Sequence, residues 1–222
     1  MKFRNEVKHY INFSQAFYLR QRLKHIMKTD KYAGKNGVYT VKSLYFDNYN
    51  DKALREKEDG LNRREKFRIR YYNDDTEFIR VEKKSKIDGL CLKQSDFVYD
   101  DDVFELINGN YDVFGDYESE VVFELYAKMK YQLLRPKNIV IYEREPFVLK
   151  QGNVRVTIDS NIRGSTDISS FLDDEIPAVK LFGCSILEVK WDEYLPQVIR
   201  DVVQVKNVKA SSFSKYAATR FV

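Results

Sequence analysis

Three times in this chain a glutamate stands two residues before a lysine: Glu6/Lys8, Glu82/Lys84 and Glu188/Lys190. Arg68 and Arg70 alternate with Phe67, Ile69 and Tyr71, while Arg155, Thr157 and Asp159 alternate with Val154, Val156 and Ile158. Side chains two residues apart share one face of a β-strand, so each segment joins an apolar face to a charged one. A guanidinium offers a bidentate fork to phosphate oxygens, and an ammonium offers a point charge. A carboxylate among such cations can hold Mg²⁺ or Mn²⁺, which favour oxygen ligands. The chemistry this combination suits is the holding of a polyanion, with cations on its oxygens and the few carboxylates on its metal counter-ions.

The elements must bring these faces together. One charged strand face alone is ordinary solvated surface in an antiparallel sheet. Here the polar faces are dominated by Arg and Lys, and the apolar faces need something to pack on. Helices covering the outside would turn the charged faces inward. A lumen lined with unpaired cations costs several kcal/mol per ion; a wet lumen that receives a polyanion with metal counter-ions does not.

Along the chain, residues 4–13 alternate as a strand, and Ser14 is the expected N-cap of a helix over QAFYLRQRLKHIMK. Gly34 and Gly37 mark a turn before VYTVKSLYFD, and DKALREKEDG reads as a short helix. KFRIRYY, EFIRVEKKSK and LCLKQSDFVYD follow as strands, separated by hairpin turns at Asn73–Asp75 and Asp88–Gly89. Residues 101–135 turn helical until Pro136; then come the strands NIVIYEREPFVL, NVRVTIDSNI and CSILEVKWDEYL, the helix PQVIRDVVQV and the tail SSFSKYAATRFV. Consecutive hairpins favour a barrel or strongly curved sheet. With 222 residues and 43% hydrophobic content the chain fits one domain over residues 1–222, and a net charge of +4 does not by itself announce a polyanion partner. The absence of an apolar leader and of membrane-length runs, with Cys91 and Cys184 far apart, leads us to expect a soluble cytoplasmic protein with reduced packing cysteines.

Taken in order, the segments EVK, FRIR, VEKK, YEREPF, RVTID, LEVKW and SFSKY resemble the catalytic domain of the vacuolar transporter chaperone (VTC) polyphosphate polymerases, within the triphosphate tunnel metalloenzymes. The resemblance spans nearly the whole chain. It implies an α+β fold, an antiparallel eight-stranded β-barrel with flanking helices, that transfers the γ-phosphate of ATP to polyphosphate with Mn²⁺ or Mg²⁺. The catalytic residues it implies are Arg68, Arg70, Arg155, Lys84 and Arg144, and the substrate-binding residues Lys8, Lys93, Lys190 and Lys215. Glu188 is the implied metal ligand, with Glu6 and Glu82 as further candidates. The wider superfamily often begins ExExK, but Arg4 stands where the first Glu would be, which leans away from the adenylate-cyclase and thiamine-triphosphatase branches. The eukaryotic polymerases carry additional membrane domains, so coupling to transport would need a partner protein.

Other residues read as structural. His9 and His25 are lone histidines, Asp100–Asp102 a solvated helix start, and Tyr45 and Phe46 packing residues at a strand end. Lys215 is marked only by the SFSKY match. Hydrolysis of tripolyphosphate or a nucleoside triphosphate in the same tunnel is the alternative reaction. A non-catalytic polyphosphate or nucleotide sensor is the alternative class. Nucleic acid ranks last, because the aromatics are expected opposite the arginines.

Overall fold

The computed structural model describes residues 4–34, 36–88, 90–183, 185–205, 210 and 212–222. Among these residues there are ten strands: β1 (Asn5–Ile11), β2 (Lys28–Thr29), β3 (Tyr39–Asp47), β4 (Arg63–Tyr72), β5 (Asp75–Ile87), β6 (Leu90–Val98), β7 (Arg135–Leu149), β8 (Val154–Ser165), β9 (Val179–Lys180) and β10 (Ser185–Trp191). The helices are α1 (Phe13–Ile26), α2 (Lys52–Glu58), α3 (Asp100–Ile107), α4 (Glu120–Tyr131), α5 (Gln197–Val203) and α6 (Lys215–Ala218). Eight strands form one curled antiparallel sheet in the order β1-β10-β8-β7-β3-β4-β5-β6, with β2 added on β7 and β9 on β8. The expected barrel is therefore a half-barrel: among the described residues no backbone ladder joins β1 to β6. Side chains span the gap instead, with Lys84 of β5 donating to Glu6 of β1 at 3.3 Å.

Local signals explain most boundaries. Asn73 and Asp74 both have positive φ, 52° and 60°, the conformation a two-residue hairpin needs to match strand twist. The first helix is capped by Asn12 rather than Ser14; its side chain accepts from the Gln15 N–H, and the Gln15 side chain accepts from the Asn12 N–H. Ser14 thus sits inside the first turn. Pro136 does not stop the preceding helix, which ends at Tyr131; the proline lies inside β7.

The sheet wraps two outer cores. Phe67, Ile69, Tyr71, Ile79 and Val81 pack beneath Val103, Leu106, Val122, Leu125 and Met129 of α3 and α4. Val154, Val156, Ile158, Leu187 and Val189 pack beneath Ala16, Leu19 and Leu23 of α1 and Ile199 of α5. Burying each of these aliphatic side chains is worth about 2 kcal/mol, and period-2 alternation then turns every intervening side chain to the concave face. A third cluster lies on that inner face, where Val41, Tyr45, Val140, Tyr142, Ile162 and Ile186 surround Tyr216 of α6. Gly164 permits this seat: a Cβ there would lie 2.6 Å from Thr219 and Val222 side-chain atoms. No helix among the described residues is long and apolar enough to cross a membrane.

Candidate functional site

Strand register assembles the inner face. In β1 and β10 the two Glu-x-Lys segments run antiparallel, so Glu6 stands opposite Lys190 and Lys8 opposite Glu188. The result is a four-residue charge square: Lys8 Nζ lies 3.0 Å from Glu6 and 3.4 Å from Glu188, and Lys190 Nζ lies 3.5 Å and 3.1 Å from the same two carboxylates. Burial works against the charge on Glu6, as does Glu188, yet Lys8, Lys84 and Lys190 bring its carboxyl down to about 2. For Glu188, burial is likewise outweighed by Lys190, Lys8 and Arg144, leaving it well below the usual carboxylate range.

The third Glu-x-Lys segment does something different. Glu82 stands opposite Arg68 across β4 and β5. Arg68 Nε donates to Glu82 at 2.7 Å, Lys93 pairs with its other oxygen, and Arg70 lies 3.8 Å away. Burial again opposes ionisation, and Arg68, Arg70 and Lys93 again prevail, so Glu82 is held below its ordinary range. Arg70 Nε also donates to Ser43 and its Nη2 to the Tyr142 hydroxyl, which fixes the guanidinium plane.

A fourth carboxylate was not marked as a site from the sequence. Asp159 is fully buried, accepts two hydrogen bonds from Arg144 at 2.6 and 2.7 Å, and pairs with Lys215 at 2.5 Å. Its place on the Arg155 face was readable from alternation, but its partners arrive from β7 and α6 and leave no local signal. Lys215 is accordingly not a solvent-exposed tail residue: its side chain is 13% exposed and lies 4.4 Å from the Tyr142 ring centre. Arg155 and Lys93 sit toward rims, at 36% and 51% side-chain exposure, with Arg155 bonded to Asp30 and the Tyr39 hydroxyl.

Tyr45 packs as expected, stacked on Tyr216, but on the inner face. Only Phe46 packs in the outer core; Tyr45 faces inward and its hydroxyl accepts from Arg68 at 2.9 Å. Burial would raise its phenol, but Arg68, Lys66 and Arg70 draw it down to about 6. Beside it, burial foremost and then the nearby charges of Lys84, Arg68 and Lys8 push Lys66 down to about 7, against the pull of Tyr45. Tyr39, Tyr72 and Tyr142 share the arginine face as well, so the expected segregation of aromatics from arginines does not hold. Their rings are packed against one another and against guanidinium groups rather than offered for stacking. Cys91 faces the cavity opposite Lys86 rather than the core; Cys184 lies outside the described residues. His9 and His25 join no metal cluster, and Asp100–Asp102 form the first turn of α3.

Among the described residues no group of three His, Cys, Asp or Glu gathers as a metal site. The Glu6–Glu188 pair still fits a Mg²⁺-like ion, which takes one or two carboxylates and fills its shell with water and phosphate oxygens. Both carboxylates are ionised, and Thr157, opposite Glu188 in the ladder, buries a hydroxyl oxygen that has no hydrogen-bond partner. Glu82 fits less well, since Arg68 at 2.7 Å and Lys93 hold its two oxygens closely, whereas the cations on Glu6 and Glu188 stand 3.0 to 3.5 Å away.

Comparison with known proteins adds three findings. The VTC domain family matches residues 3–221. Among solved structures the fold is similar to a candidate adenylate cyclase from Bacillus halodurans, with a TM-score of 0.54 and 12% identity over 91% of this chain and 88% of that one. It is also similar to the PH1012 protein of Pyrococcus horikoshii OT3, with a TM-score of 0.53 and 12% identity over 97% and 98% of the two chains. At this identity the likeness is one of fold. No curated protein matches the chain.

Proposed function

This chain belongs to the VTC domain family, and from that premise we propose that it extends polyphosphate by transferring the γ-phosphoryl group of ATP, in the cytoplasm, along the concave face of its sheet. The observation that carries this is the convergence of Arg68, Arg70, Lys84, Arg144, Lys8 and Lys190 from five strands onto one face shared with three buried carboxylates. The curled sheet with its charged concave face supports this reading, and the excess of cations suits a chain of phosphates.

In the transfer, a terminal oxygen of the polyphosphate chain forms the new bond to the γ-phosphorus while the bond to the β–γ bridging oxygen breaks, and ADP leaves. Arg68 and Arg70 are placed to share charge on the transferring group, each held by its own partner so that neither must reorganise. Arg144, locked by Asp159, and Lys215 supply the facing side. Glu188 and Glu6 would hold a divalent ion, Mn²⁺ or Mg²⁺, which when bound neutralises phosphate charge. Glu82 orients Arg68 rather than a metal. Lys93 and Arg155 guide the chain at the rims.

Incubation of the purified protein with ATP and Mn²⁺ tests this. ADP together with a ladder of long-chain polyphosphate on a gel is expected. ADP with free phosphate alone would replace the polymerase with a triphosphate hydrolase, and unchanged ATP with tight polyphosphate binding would leave a sensor.

A further inference from the structure

At one end of the concave face lies a cavity of about 650 Å³ whose walls come from β1, α2, β4, β5 and the segment around Phe213. Its cations differ from those at the centre. Lys57, Arg64, Lys66 and Lys86 all line it, and among the described residues none of the four forms an ion pair with a carboxylate. Of the two glutamates in its wall, Glu65 is engaged by Lys83 and Lys128 on the outer side, and Glu6 belongs to the charge square. Neutral contacts are all that hold two of them: Lys57 Nζ donates to Ser212 Oγ at 3.1 Å and Arg64 to the Leu61 carbonyl.

The register makes this arrangement costly. Across β4 and β5, Arg64 stands opposite Lys86, and Lys66 opposite Lys84. Like charges directly opposite in an antiparallel pair destabilise it. Lys57 approaches from α2, and burial together with Arg64, Lys8 and Lys86 lowers its affinity for its proton. Lys84 has Glu6 to offset its charge, but Arg64 opposite Lys86, faced by Lys57, is a repulsion that a bound anion would relieve. The central cations have carboxylates for this; among the described residues Lys57, Arg64, Lys66 and Lys86 have none.

We infer that this mouth is a second anion subsite, in which Lys57, Arg64 and Lys86 take the stretch of a polyphosphate chain that extends beyond the triphosphate held at the centre. The inference rests on the polyphosphate reading above. Lys84 links the two regions, since it pairs with Glu6 in the lumen and stands beside Lys66 in the mouth. The subsite therefore selects for chain length, a property the central cluster alone does not supply.

The test compares tripolyphosphate with long-chain polyphosphate by titration calorimetry, with Mn²⁺ present, for the wild type and a Lys57→Ala/Lys86→Ala variant. The wild type is expected to prefer the long chain. The variant should keep its affinity for tripolyphosphate while the preference falls about tenfold, or about 1.4 kcal/mol. Without any anion, Lys86→Ala should melt at a higher temperature than the wild type, because it removes an opposed like charge. A preference left intact in the variant, equal weakening of both ligands, or a wild type that binds tripolyphosphate as well as the long chain overturns the subsite alone. A wild type that binds neither ligand overturns the polyphosphate reading, and this inference with it.

Discussion

The two walls of the concave face are built alike on the outside and differently on the inside. Both carry aliphatic ladders under helices, α3 and α4 over β4 and β5, α1 and α5 over β8 and β10. Inside, among the described residues, the β4–β5–β6 wall has a single buried carboxylate, Glu82, for Arg68, Arg70 and Lys93, and beyond it Lys66 has none. The β1–β10–β8 wall has Glu6, Glu188 and Asp159 for Lys8, Lys190, Arg144 and Lys215. The first wall sets one carboxylate against four cations, and the second sets three against four. Under the proposed function the difference teaches a division of labour, in which an anion-holding wall would face a wall fit for a metal.

The largest effect that would sharpen this contrast concerns stability. Glu82→Gln leaves Arg68 and Arg70 buried without their counter-charge and should cost about 3–5 kcal/mol in urea unfolding. Saturating tripolyphosphate should restore much of that loss. Glu188→Gln should cost less, because Glu6 still faces Lys8 and Lys190 and a like-charge repulsion is relieved. Equal losses at the two positions would break the contrast.

Next in size is turnover. Arg70→Ala should lower kcat by about two orders of magnitude, roughly 3 kcal/mol of transition-state stabilisation, with KM little changed. A rise in KM alone would demote Arg70 to chain binding. Lys215→Ala belongs with Arg70 in this account, because its ammonium is buried against Asp159.

The walls should also titrate apart. Lys66 is depressed to about 7, so the unfolded chain binds the extra proton between that value and the ordinary 10.5, and the stability contribution rises with pH across that window. Phosphate-chain affinity should run the other way and strengthen as pH falls through about 7, where Lys66 gains its charge; Lys66→Met should flatten that profile. Glu6 is depressed to about 2, so its contribution is complete above the ordinary carboxylate value of 4.5 and is lost as pH falls toward about 2. A neutral-pH dependence that survives Lys66→Met would assign it elsewhere.

The smallest expected effect lies at the rim. Lys93 is half exposed, and Lys93→Ala should weaken chain binding by less than about 1 kcal/mol while leaving kcat unchanged. Steady-state kinetics at two ionic strengths would show whether even that contribution is screened.

Much of this was written in local pattern. The alternation of KFRIRYY and the Asn73–Asp74 turn were legible because strand period and left-handed backbone conformations are properties of a few adjacent residues. The Glu-x-Lys repeats were legible as a pattern, but their two different fates were not. Whether Glu82 meets Arg68, or Glu6 meets Lys190, depends on which strands pair and in what register. Asp159 and Tyr45 escaped for the same reason, since their partners come from distant segments. The open seam between β1 and β6 and the seating of Tyr216 against Tyr45 likewise arise from long-range packing, which no short window contains.

The division of the two walls is tested most directly by Mn²⁺ binding, followed by electron paramagnetic resonance of the free ion, in the wild type, Glu188→Gln and Glu82→Gln, with tripolyphosphate present and below each variant's melting transition. The account predicts that Glu188→Gln loses most of the bound Mn²⁺ while Glu82→Gln keeps it. Loss of Mn²⁺ in Glu82→Gln with retention in Glu188→Gln would contradict it, and would move the metal to the arginine wall.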